Sequence, residues 1–171
     1  MLIPTLLFIA ALAQTQTWHP LASPSKASLR GLHAVSDSVA WASGANATIL
    51  RTTDGGLSWK TLAPPTGSEA LDFRDIHAWD AKNAVIMSAG SGTKSRIYRT
   101  TDGGVSWTLA HENKQEKGFF DGMTFWDRKR GILVGDPVDG RFTILITNDS
   151  GASWQKLSRE FGEIRALAWT P

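Results

Sequence analysis

At 171 residues the chain is long enough to bury a core of its own, and its lack of cysteine excludes disulfides, thiolate metal sites and cysteine nucleophiles together. The net charge of +2 comes from Lys and Arg scattered among carboxylates; Arg128-Lys-Arg130 is the one basic run, so no stripe for nucleic acid is present. Sixteen glycines and eight tryptophans, with short apolar runs between Gly, Asp, Asn and Ser clusters, point to an all-β chain.

Leu2 to Leu12 is nearly continuous apolar sequence ending in Ala11-Leu-Ala13, an A-x-A cleavage pattern, so residues 1–13 are predicted to be a signal peptide. The remaining chain is expected to be secreted or periplasmic. Eleven apolar residues fall short of a comfortable bilayer span. Contact with a membrane is expected only if this segment stays uncleaved.

Residues 14–171 are organised by an internal repeat. Arg51-Thr-Thr-Asp-Gly-Gly-Leu-Ser-Trp59, Arg99-Thr-Thr-Asp-Gly-Gly-Val-Ser-Trp107 and Ile146-Thr-Asn-Asp-Ser-Gly-Ala-Ser-Trp154 all fit [ST]-x-D-x-G-x-[ST]-W, and their tryptophans recur at intervals of 48 and 47 residues. A first strand is predicted at Gly31–Val35, Asp75–Trp79 and Gly122–Trp126. The second follows at Val39–Ser43, Ala84–Ser88 and Gly131–Gly135, and the third at Thr48–Thr52, Arg96–Thr100 and Phe142–Thr147. The box is the next turn, and its Ser-Trp is expected to open a fourth strand. Four antiparallel strands per repeat is the arithmetic of a β-propeller blade. Blades are placed at about 28–64, 72–112 and 119–158, with a further one starting at 163–171.

Thr17-Trp-His-Pro-Leu-Ala22 matches the outer strand Ser58-Trp-Lys-Thr-Leu-Ala63 but has no blade before it. Such an orphan strand suggests ring closure with C-terminal sequence. Three blades and parts cannot close a ring, so the chain is expected to be partial, or to self-associate through its open blade faces.

Within each box the carboxylate of Asp54, Asp102 or Asp149 is expected to accept hydrogen bonds from the turn, helped by the hydroxyl of Ser58, Ser106 or Ser153. Gly56, Gly104 and Gly151 allow positive φ, while Trp59, Trp107 and Trp154 lay apolar surface on the blade. This assigns the boxes to architecture. One carboxylate per turn cannot build a calcium cage. His19, His33, His77 and His111 lack metal-ligand spacing, so neither a metal nor a cofactor is expected.

At these boxes the sequence resembles the BNR or Asp-box superfamily. It is most similar to the photosystem II stability and assembly factors and their bacterial exported relatives, at Ser28-Leu-Arg-Gly31, Leu71-Asp-Phe-Arg-Asp-Ile76, Arg96-Ile-Tyr-Arg-Thr-Thr-Asp-Gly-Gly104, Gly118-Phe-Phe-Asp-Gly122 and Gly135-Asp-Pro-Val-Asp-Gly-Arg-Phe142. The resemblance implies an exported binding or assembly scaffold with no catalysis of its own. The rival is a sialidase-like glycoside hydrolase fragment. That family uses three arginines and a Tyr and Glu pair, yet Phe73-Arg-Asp-Ile76 departs from its Phe-Arg-Ile-Pro motif and Tyr98 reads as packing.

Candidate ligand-binding residues are those outside the structural template. Arg30, Arg74 and Arg165 recur near first-strand starts, where propeller loops approach the central channel. Asp121 precedes the third first strand, and Asp136-Pro-Val-Asp-Gly-Arg141 is predicted to be the loop after the second strand, with a turn built by Pro137 and Gly140. Asp121, Asp136 and Arg141 would then meet at one mouth of the ring, where a protein partner or a small anionic ligand is expected.

Overall fold

The structure, a computed structural model, describes residues 20–157. The expected signal peptide, Trp18, Arg165 and the expected blade start at 163–171 lie outside the described residues.

Twelve strands form three four-stranded sheets. The first holds β1 (Leu29–Ala34), β2 (Ala40–Gly44), β3 (Thr48–Thr52) and β4 (Lys60–Thr61); the second holds β5 (Asp72–Ala78), β6 (Ala84–Ala89), β7 (Arg96–Thr100) and β8 (Thr108–Glu112). The third is made of β9 (Phe120–Phe125), β10 (Gly131–Val138), β11 (Arg141–Thr147) and β12 (Gln155–Lys156). Each is an antiparallel meander in chain order, and a short 3-10 turn, Gly92–Lys94, joins β6 to β7. Among the described residues there is no α-helix.

The sheets stack face to face, which explains their composition. The run Ala84-Val-Ile-Met87 is apolar on both sides because the second sheet is covered on both sides. Ala84 and Ile86 join Trp41, Ile49, Leu62, Phe73, Ile76 and Tyr98 in the core between sheets one and two. Val85 and Met87 join Ile97, Phe120, Leu133, Leu145 and Trp154 between sheets two and three. Truncating a side chain such as Ile86, which is fully buried, typically costs about 2–5 kcal/mol. β5 lies against β1 and β2, and β9 against β5 and β6, so the first strands run side by side.

Two sequence-based expectations are corrected. Trp59, Trp107 and Trp154 precede the fourth strands rather than opening them. Asp136-Pro-Val138, expected in a loop, continues β10; the turn is only Asp139-Gly140, with φ of 52° and 76°, the left-handed pair that closes a two-residue hairpin. Pro137 is tolerated inside a strand because the pairing with β11 shifts register between Gly135 and Pro137.

Candidate functional site at the inner-strand bulges

Each first strand carries one extra residue relative to the strand beside it. Pairing jumps from Leu29↔Gly44 to Gly31↔Ser43, from Phe73↔Ser88 to Asp75↔Met87, and from Phe120↔Gly135 to Gly122↔Val134. The bulged residues are Arg30, Arg74 and Asp121. A bulge re-aims the side chain it carries, and here the same device is used three times with changing chemistry. The register shift in the β10–β11 pair makes Asp136 a fourth bulged residue.

The structure brings Arg74, Asp121 and Asp136 together. Arg74 Nε donates to the Asp121 carbonyl at 3.0 Å, and its Nη2 lies 3.7 Å from Asp121 Oδ1. The guanidinium also sits over the Phe119 ring, 5.5 Å from its centroid. The Asp136 N–H donates to the Phe119 carbonyl at 2.9 Å, which ties the long hairpin of sheet three to the chain entering β9. Partial burial and the neighbouring Asp136 push the Asp121 carboxyl up, against the pull of Arg74. Arg30 occupies the equivalent position one sheet earlier and is exposed; Arg141, also exposed, opens β11 opposite Val138.

Next to this cluster the sequence reading missed Asp75. Its Oδ2 accepts from the Met123 N–H of β9 at 2.8 Å and its Oδ1 from the Ile76 N–H at 2.8 Å, bridging two sheets. Burial raises its pKa, opposed by those hydrogen bonds and by His33 and Arg74. The signal was available: the same repeat position is Gly31 in the first sheet and Gly122 in the third. His33 and His77 meet edge to face with their centroids 4.1 Å apart, and His77 also meets Phe125 at 4.6 Å. Burial, then the neighbouring His33, lowers the His77 pKa to about 4; burial also lowers that of His33, against the attraction of Asp75. Both imidazoles are therefore held neutral near pH 7. Among the described residues no cluster of three or more His, Asp or Glu side chains is arranged to hold a metal ion.

The boxes lie at the opposite edge of each sheet, and their hydrogen bonds close on themselves. Asp54 Oδ1 accepts from Thr52 Oγ1 at 2.7 Å and the Ser58 N–H at 2.9 Å, while Oδ2 takes the Ser58 hydroxyl. Asp102 repeats this with Thr100 and Ser106, and Asp149 with Thr147 and Ser153. The Thr hydroxyl, to which the sequence reading gave no role, accepts the N–H of Gly56, Gly104 or Gly151, residues with φ of 88°, 80° and 75°. Hydrogen bonds from Ser58 and Ser106 pull Asp54 and Asp102 down to about 2, and Asp149 is lowered as well. Trp154 is buried, and Trp59 and Trp107 are half-buried, with Trp107 Nε1 donating to the Ala63 carbonyl at 3.2 Å. Tyr98 is only 4 % exposed, edge-on to Phe73 and hydrogen-bonded from Arg96, which removes it as a nucleophile.

Among solved structures the chain is similar to YCF48 bound to D1 peptide, at 22% identity and a TM-score of 0.62, covering 78% of this chain and 41% of that one. It is similar also to YCF48 from Cyanidioschyzon merolae, at 21% identity and a TM-score of 0.60, over 82% and 40% of the two chains. The GH74 enzyme from Niastella koreensis matches at 18% identity and a TM-score of 0.53, over 80% and 18%. The fold is a β-propeller. Each sheet is thus a blade, its first strand inner and its box at the rim. The chain spans about two fifths of the length of the YCF48 chains it matches. No protein-family model matches the chain, and no curated protein does. Among the described residues no helix is long and apolar enough to cross a membrane.

Proposed function

We propose that this β-propeller is an exported binding and assembly scaffold, similar in role to photosystem II assembly factors, that grips a protein segment at the mouth formed by its inner-strand bulges. One observation carries the reading: three blades share one bulge geometry while its side chain changes from Arg30 to Arg74 to Asp121. A purely structural bulge needs no such change of charge. The lengthened hairpin of blade three, with Asp136 on β10 and Arg141 opening β11, adds polar groups beside the bulges. The YCF48 structure with a D1 peptide supports a propeller of this fold taking a peptide. Export rests on the apolar segment Leu2–Leu12 and its Ala11-Leu-Ala13 ending.

The glycoside hydrolase reading draws on the GH74 likeness and on the closeness of Asp121 to Asp136, a carboxylate pair of the kind such chemistry uses. Tyr98 lies in the core, so it is not the tyrosine that a sialidase form would use. The two readings separate in one experiment. Fluorescence anisotropy with ten-residue peptides of acidic, neutral and basic composition is expected to show binding that Arg74→Glu weakens at least tenfold, and that falls steeply with added salt. Arg74→Glu with Asp121→Arg restores the ion pair and is expected to keep the fold while altering the preferred peptide charge. Peptide affinity indifferent to both variants, or release of reducing sugar from xyloglucan that Asp121→Asn abolishes, would overturn the scaffold reading.

A further inference from the structure

An Asp-Gly pair can turn its backbone on itself, because no side chain on glycine shields its nitrogen from the preceding carboxyl. The chain holds four such pairs: Asp54-Gly55, Asp102-Gly103, Asp121-Gly122 and Asp139-Gly140. Their surroundings differ. In the two boxes both reacting groups are engaged. The Gly55 N–H donates to the Ser38 carbonyl and the Gly103 N–H to the Lys82 carbonyl, each at 2.9 Å. The Asp54 and Asp102 carboxyls accept from Thr and Ser on both oxygens and stay ionised down to about pH 2, which makes them poor electrophiles. Asp121-Gly122 lies inside β9, where Gly122 pairs with Val134 and Arg74 Nε holds the Asp121 carbonyl.

Asp139-Gly140 has none of these restraints. Both residues are exposed, and among the described residues no hydrogen bond occupies the Gly140 N–H and neither a hydrogen bond nor an ion pair holds the Asp139 carboxyl. Asp139 also sits at a φ of 52°, a left-handed conformation that crowds the Cβ of an L-residue against its own backbone. The tip is lightly held as well. Beyond the register shift after Gly135 it is joined by the pairs Pro137↔Phe142 and Val138↔Arg141, and proline has no N–H to give. Local opening of such a tip needs far less free energy than opening of the blade.

We propose that Asp139-Gly140 is a self-modification site, at which the folded chain isomerises through a cyclic imide to isoaspartate. The Gly140 nitrogen attacks the Asp139 Cγ, and the carboxyl hydroxyl leaves with the amide proton as water, closing a succinimide ring. Water then adds back to one of the two ring carbonyls. Breaking the bond from nitrogen to Cγ restores aspartate. Breaking the bond from nitrogen to the α-carbonyl carbon routes the main chain through Cβ and leaves the α-carboxylate as the new branch. One water is lost and one regained, nothing is oxidised, and no co-reactant is needed. The product carries an extra methylene in the main chain of a two-residue hairpin loop, whose geometry has no place for it. Val138 and Arg141 lose their pairing, and the tip that carries Arg141 and the exposed Phe142 is re-aimed.

The other three pairs are internal controls, so the test needs no variant. The full-length chain is held folded at neutral pH in heavy-oxygen water for several weeks, and a second portion is held unfolded in guanidinium chloride. Peptides are then read by electron-transfer mass spectrometry, which fragments isoaspartate differently from aspartate. In denaturant the four pairs are expected to react at rates within about threefold of one another, since the fold no longer separates them. In the folded chain Asp139 is expected to outpace Asp54, Asp102 and Asp121 by at least about tenfold, with heavy oxygen in its product. Equal rates at the four pairs in the folded chain, or a box aspartate in the lead, would overturn the proposal. Isoaspartate at 139 without heavy oxygen would overturn the imide route, and with it the proposal.

Discussion

At the rim, Asp54, Asp102 and Asp149 each turn their oxygens to the Thr two residues before and the Ser four residues after, so that backbone and side chain repeat together. At the mouth the backbone repeats as a bulge in three inner strands, but its side chain runs Arg30, Arg74, Asp121. Repetition with every acceptor satisfied inside the turn marks a device that holds a hairpin shut. Repetition of a backbone feature with a changing charge marks a device that presents something. Only the second kind of position leaves polar groups for a partner, and for that reason the boxes carry architecture and the bulges carry the proposed function.

The contrast can be broken most forcefully at the buried end of a box. Thr100 is 1 % exposed and its hydroxyl accepts the Gly104 N–H at 2.9 Å. Thr100→Val keeps the shape and orphans that buried donor, so urea unfolding is expected to show a loss of about 2 kcal/mol with peptide binding unchanged. Equal stability to the parent would mean that the box does not hold the hairpin. Asp102→Ala is expected to lower the melting temperature at pH 7. The Asp102 carboxyl, normally near 3.8, is drawn down to about 2 in the fold, so its contribution is complete above about pH 3.8 and is lost as pH falls towards 2. The gap between the variant's and the parent's melting temperatures should therefore narrow as pH falls from about 3.8 through about 2.

Between rim and mouth, the neutral pair His33 and His77 sets a pH effect of opposite origin. The His77 pKa falls from 6.5 to about 4 on folding, so protonation favours the unfolded chain and stability declines as pH falls from about 6.5 to about 4. The raised Asp75 carboxyl works the other way, because taking up a proton favours the fold. His77→Gln is expected to flatten the melting temperature over that interval, and a slope unchanged from the parent's would remove the pair as its cause. The smallest stability change is expected at the mouth itself. Arg74 and Asp121 are each 38 % exposed and 3.7 Å apart, a pairing that contributes roughly 0–1 kcal/mol. Arg74→Ala, which also removes the hydrogen bond to the Asp121 carbonyl and the contact with Phe119, should cost about 1 kcal/mol while peptide binding is weakened at least tenfold. A large fall in stability with binding intact would reverse the comparison between rim and mouth.

What the sequence determined by itself was local and periodic. The recurrence of Trp59, Trp107 and Trp154, and the apolar runs between the boxes, were enough for four strands per repeat, and Thr48–Thr52 and Arg96–Thr100 fall where the pattern put them. A box is readable because its donors and acceptors lie within four residues of one another. Tertiary structure decided what depends on two strands at once. A bulge is a difference in register between partners, so Arg30, Arg74 and Asp121 were legible as recurrent residues but not as bulged ones. Asp136 moved from loop to strand for the same reason, since only pairing with β11 shows that β10 continues past Pro137. Asp75 touches Met123, 48 residues on, and the exposure of Trp126 and Val134 depends on a neighbouring blade. Contacts between blades are set by stacking, which no periodicity within a single repeat encodes.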